Sequence, residues 1–250
     1  MRYFKVFLTF FKLNLSQEME FRSNFAIRLL TQFFYVVVQI ALIETYFRFT
    51  NSIGSWSRQE VFVLVGIFRL IEGMFHVIFH ANLLYLPEMV RLGELDLYMT
   101  RPINTLFLLS VSKQQWHELS TFASGVFILL YFLPLQTGRL WLTVILFSFL
   151  GLICLYSIML SISSLSFYLN RFTAISSIWD VISKTNRFPL DIFGRVAAPF
   201  LLVATIPSRI ILGKSGIEDV MVQIAGSAIL FLLAYKFWQH SLNRYSSASS

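Results

Sequence analysis

Long apolar runs separated by short polar stretches dominate the chain, and their lengths define the elements they predict. Six runs, Phe25–Phe47, Val61–Asn82, Trp116–Leu135, Leu140–Ser163, Val196–Leu212 and Val220–His240, reach or approach the length of a bilayer crossing. A hydrocarbon core of about 30 Å needs about 20 apolar residues as helix. Unpaired backbone groups are too costly in hydrocarbon for runs of this length to be anything but helical. The in-out alternation of a membrane barrel is absent. Pro199 and Pro207 interrupt the fifth run and predict a break or kink there.

Ahead of these runs the pattern changes period. Arg2, Lys5, Thr9, Lys12 and Ser16 fall on one helical stripe, and Phe4, Phe7, Leu8, Phe11 and Leu15 fall opposite. That pattern predicts an amphipathic helix over about residues 1–22, lying in the cytoplasmic interface with its aromatics toward the acyl chains. Lys5 and Lys12 break the apolar positions that a cleavable signal would need.

Composition agrees with the pattern. The 250 residues are 56% hydrophobic and 13% charged, where a soluble domain carries about 25% charged residues. That leaves too little polar surface for a soluble globule and excludes disorder. The single Cys154 excludes an internal disulfide framework. The fold class is therefore an all-α integral membrane protein, one transmembrane domain over 1–250.

The formal charge of +7 is spread along the chain and draws no compact basic face for nucleic acid. It sorts instead by loop. With a cytoplasmic N-terminus, thirteen basic residues (Arg2, Lys5, Lys12, Arg22, Arg91, Arg101, Lys113, Arg171, Lys184, Arg187, Arg195, Lys236, Arg244) fall inside. Five (Arg48, Arg58, Arg139, Arg209, Lys214) fall outside. The bias places both termini in the cytoplasm.

Two patches carry candidate chemistry. In the second run Arg69, Glu72, His76 and His80 recur at intervals of three, four and four and share one helix face. Each charge at mid-membrane costs about 2.5–3.5 kcal/mol, so this face looks into protein or water. Two readings stay open: a stripe along a translocation path or half-half interface, or an internally paired Arg69–Glu72 with two satisfied histidines. Three ligands over two turns make a poor tetrahedral metal site, so no metal is expected. No nucleophile elbow is present. Gly213-Lys214-Ser215 ends like a phosphate loop, but Ser208 stands where the first Gly is required. In the fourth run Gly151, Cys154, Ser157, Ser161 and Ser164 form a ridge of small residues suited to close helix packing.

The second patch spans 87–103: Pro87, Glu88, Arg91, Gly93, Glu94, Leu95, Asp96, Met99, Arg101 and Pro102. By residue type it is a short amphipathic segment bounded by prolines. Gly93 permits a turn, Leu92, Leu95 and Met99 can face one way, and Pro102 is a stop. Its spacing resembles the loop between the second and third spans of ABC-2 type exporter permeases, Gly-Thr-Leu-Glu-x-Leu-Leu-x-x-Pro. Gly93, Leu95, Asp96, Met99 and Pro102 stand at the matching places, and Glu94 replaces the usual Thr. A second stretch, Arg187-Phe188-Pro189-Leu190-Asp191 with Pro199, Pro207 and Leu212-Gly213-Lys214, is similar to the proline-rich fifth span of a bacterial branch of that family.

The resemblance implies six spans, with segment 87–103 as a cytoplasmic coupling helix. It implies a groove on a separate ABC ATPase, present in two copies, that would grip this helix. ATP and Mg would reside on that subunit, with no cofactor and no catalytic residue in this chain. A second permease copy or related permease, membrane lipids and the bacterial plasma membrane complete the picture. Within it, Arg91, Glu94, Asp96 and Arg101 are rim charges, Leu95 and Met99 the buried contact, and Glu88 a further contact that supplies charge upstream with Arg91. The competing expectation is an ion- or proton-coupled secondary transporter that uses Arg69, Glu72, His76 and His80.

Overall fold

The computed structural model describes residues 2–133, 138–169, 174–186, 188–189 and 198–245. Arg171, Arg187, Leu190, Asp191, Arg195 and the start of the fifth apolar run lie outside them. Helices α1 (Arg2–Glu20) and α2 (Arg22–Phe49) are followed by α3 (Arg58–Leu92), which contains a π turn at His76–His80. Next come α4 (Asp96–Met99), α5 (Thr105–Val111) and α6 (Leu119–Phe132), the last entered through a 3₁₀ turn at Trp116–Glu118. Then follow α7 (Gly138–Ser164), α8 (Ile175–Thr185), α9 (Ala198–Leu201), α10 (Thr205–Ile211) and α11 (Ile217–Leu242).

Among the described residues four helices, α2, α3, α7 and α11, are long and apolar enough to cross a membrane. The third and fifth predicted runs are shorter: α6 has 14 residues, and Ala198–Ile211 is a short apolar stretch split in two.

The core is organised around α3, which packs on α6 and α7. Glycines set how closely α3 and α6 approach. A methyl group at Gly125 would sit 2.7 Å from Leu70 N and 2.8 Å from Gly66 O, and one at Gly73 would sit 2.4 Å from Phe122 N. Dispersion between backbones in such contact is what holds helices together where the hydrophobic effect is absent. The ridge on α7 works the same way. Gly151 faces the Val203 carbonyl, and Cys154, Ser157 and Ser164 are buried.

The break in the fifth run lies at Leu202–Ala204, between α9 and α10. Pro207 is the third residue of α10, a position whose N–H has no helical partner in any case. The freed Leu202 carbonyl accepts from Gln223 Nε2 of α11 at 3.0 Å. Non-helical backbone is tolerated at this depth because protein satisfies it.

Helix α8, which carries Lys184, packs beside the middle of α3. Trp179 stacks on Phe75 at 5.2 Å and Ser183 donates to Glu72 at 2.6 Å. On α1, Phe11 turns inward onto Trp116 (4.3 Å) and Tyr3 onto Phe107 (4.9 Å), while Phe4 and Leu8 stay exposed. The α1 aromatics are thus divided between protein and surroundings.

Candidate functional site

The tip formed by segment 87–103 grows directly out of α3. Pro87 lies inside that helix rather than bounding the segment, and α3 continues to Leu92. Gly93 then takes φ +74°, a left-handed cap that glycine adopts without steric cost, and α4 follows as a single turn. Asn104 caps the return through α5 by accepting from Phe107 N at 3.0 Å. The tip is braced by Asn82, whose side-chain amide donates to the Ser110 and Lys113 carbonyls. Asn82 Oδ1 accepts from Ser112 Oγ and Lys113 N, all within 2.8–2.9 Å.

The predicted contact residues separate by direction. Leu95 is 0% exposed and packs inside this chain, so it cannot also be the outward contact. The apolar groups facing out are Leu92, Leu97 (64% exposed) and Met99 (43% exposed). Arg91 pairs with Glu88 on the surface, and Arg101 and Pro102 are exposed. Glu94 turns back to accept from the Tyr85 hydroxyl at 3.1 Å, and the Lys113 ammonium stands 3.2 Å from the Tyr85 ring centroid. Burial pulls Lys113 below the ordinary lysine value. Burial, with the Asp96 carboxylate beside it, raises Tyr245.

Deeper in the bundle, the polar stripe forms a cluster. Arg69 and Glu72, 2% and 4% exposed, pair at 3.2 Å. Arg69 Nε also donates to Gln39 Oε1 of α2 at 3.0 Å, and its guanidinium lies 4.7 Å from the Tyr35 ring centroid. Glu72 accepts from Ser183 of α8. The internally paired reading therefore holds for Arg69 and Glu72.

His76 and His80 stack at 4.1 Å against Trp179, and His76 Nδ1 lies 3.4 Å from Glu118 Oε2. The π turn places them so, and it also turns the Val77 carbonyl outward to accept from Gln115 N at 3.0 Å. Arg69, Glu72 and His76 moreover line a cavity of about 270 Å³ together with Gln32, Glu118 and Asp180. Pairing and cavity lining coexist on one face. Among the described residues no group of three or more His, Cys, Asp or Glu is placed to hold a metal ion.

Residue typing along single helices missed Gln39, Glu118, Asn82 and Ser183. Gln39 and Asn82 are polar interruptions of apolar runs and were detectable on that ground. Glu118, near the start of the third run, was detectable on the same ground, and Ser183 had no such signal. His117 is bound to α1: Glu18 accepts from the N–H groups of Trp116 and His117 at 2.9 Å and lies 3.0 Å from His117 Nδ1. Lys214 is held by Glu60 and the Ser55 carbonyl, far from any phosphate-loop geometry.

A buried central helix, a capped tip and close glycine-mediated packing define a polytopic helical membrane protein. Residues 33–249 match the family model described as ABC-2 family transporter protein, and the chain belongs to that family. No curated protein and no solved structure matches the chain significantly.

Proposed function

We propose that the chain is the membrane-spanning permease subunit of an ATP-driven exporter. It works as a homodimer or beside a related permease, with two copies of a cytoplasmic ABC ATPase carrying ATP and Mg. The short runs complete six crossings, both termini are cytoplasmic, and α1 lies along the inner face of a bacterial plasma membrane with Arg2, Lys5 and Lys12 toward the headgroups. Single-turn α4 and the end of α3 form the coupling element.

The observation that carries this reading is the tip itself: Leu92, Leu97 and Met99 exposed between Glu88–Arg91 and Arg101, at the end of a helix that continues into the buried core. An apolar centre with a charged rim is how a small docking site combines affinity with register. From Gly93 back to Arg69 the helix measures about 36 Å at 1.5 Å per residue. Force on the tip is delivered along that length to the polar cluster. The π turn and Asn82 join the lever to the start of α6, so α3 and α6 move together.

The test is co-expression with an ABC ATPase encoded beside this chain and pull-down in detergent. Leu97→Asp with Met99→Asp should lower the recovered ATPase at least about tenfold without changing the melting temperature of the permease. Full recovery would refute the coupling assignment. The ion-coupled alternative is supported by the buried ionisable cluster alone, and it requires transport by vesicles that contain no ATPase.

A further inference from the structure

Two cavities described by different chemistry meet at the same side chains. The polar cavity beside Arg69 is also lined by Tyr35 and Lys184, and these two residues line a second, apolar groove of about 360 Å³. The groove runs along one stripe of α2: Tyr35, Val38, Gln39, Leu42, Ile43 and Tyr46. Ile53 and Phe188 close it from the other side. From Tyr35 to Tyr46 the stripe is about 16 Å long at 1.5 Å per residue, which suits one medium-length alkyl tail.

The polar end has its own sign. Arg69 and Lys184 face it against Glu72, Glu118 and Asp180, with His76 and Tyr35 as the remaining titratable groups. Lys184 stands 3.9 Å from Asp180 and Arg69 pairs with Glu72, so two cations meet three carboxylates and Glu118 is the one without a lysine or arginine of the lining beside it. Glu118 stands at the start of α6, which the basic-residue bias places toward the cytoplasm, and the groove extends from there toward the other side. A molecule from the inner leaflet would enter head toward Glu118 and Asp180, tail along α2.

We infer that the joined cavities bind a single-tailed amphiphile with a cationic head, which identifies the class of cargo. This rests on the permease reading for its role as cargo, whereas the binding itself needs no ATPase. Amphiphile binding is therefore measured on the full chain alone, reconstituted in phosphatidylcholine vesicles, so its failure is distinct from failure of the ATPase pull-down.

The probe is an alkyltrimethylammonium with a terminal photoactivatable diazirine, and labelled peptides are mapped by mass spectrometry. Labelling should concentrate on residues 35–46 over the exposed face of α7 at Leu142–Phe149. Tetradecyltrimethylammonium should compete at about one tenth of the concentration that tetradecyl sulfate requires, since a like charge meets the cavity's excess of carboxylates. Val38→Trp, an exposed position that leaves the core intact, should abolish labelling in the groove. Asp180→Asn, also exposed, should reduce it about threefold and leave labelling of α7 unchanged. Equal labelling of all lipid-facing helices, or equal competition by the sulfate, would overturn the inference, and an unaltered Asp180→Asn would overturn the assignment of the head.

Discussion

α2 and α3 have mean hydropathies of 1.8 and 2.0 over their most apolar stretches, yet 17% of one stretch and 83% of the other is buried. Apolarity therefore does not sort helices between lipid and protein in this chain. Surface shape and polar content do. Gly66 and Gly73 let α6 lie against α3, and Arg69 and Glu72 need partners that lipid cannot supply. α2 presents Phe33, Phe34, Val38 and Leu42 outward and is tied to the core by buried Gln39 and Ile43. One helix is a packed lever, and the other a wall with one buried polar anchor.

The sharpest way to break this contrast is to strip α3 of its counter-charge. Arg69→Met removes the guanidinium that pairs with buried Glu72 and should cost about 3–5 kcal/mol in unfolding measurements. Arg69→Met with Glu72→Met should restore most of that loss. If the single and double variants unfold alike, the pair is not what holds α3 inside.

Next in size is the glycine contact. Gly125→Leu should lower stability by about 3 kcal/mol, because its side chain meets the α3 backbone. Ala41→Leu, on the exposed face of α2, should stay within about 0.5 kcal/mol. Thermal melting in one detergent compares the two directly, and equal melting temperatures would erase the distinction between lever and wall.

The anchor itself is tested by Gln39→Leu, which removes an acceptor from a buried guanidinium. A loss of about 2 kcal/mol is expected, in the range of hydrogen bonds to charged groups. Exchange of α2 backbone amides should accelerate with it. The smallest effect belongs to Glu44→Gln, which breaks the exposed Arg58–Glu44 pair between α2 and the start of α3. That change should cost less than about 1 kcal/mol and vanish in high salt.

Much of the candidate site was legible before any coordinates. Gly93 as a turn, a short helix after it, and a break near Pro199 and Pro207 all follow from local backbone preference, and local preference is visible in a local pattern. Leu95 went wrong because which way a leucine at the start of a one-turn helix points depends on where the neighbouring helix lies.

By itself the sequence determined that this protein is helical, membrane-embedded and tipped by an amphipathic turn, because hydrocarbon tolerates few alternatives and spacing within one helix is rigid. Only the tertiary structure decided that α8 lies beside α3 to bond Glu72, that Gln39 receives Arg69, and that an apolar groove and a polar cavity share Tyr35 and Lys184. Those contacts join residues 30 to 111 positions apart. Helix packing brings them together through shape and mutual satisfaction of polar groups, and neither leaves a periodic trace along the chain.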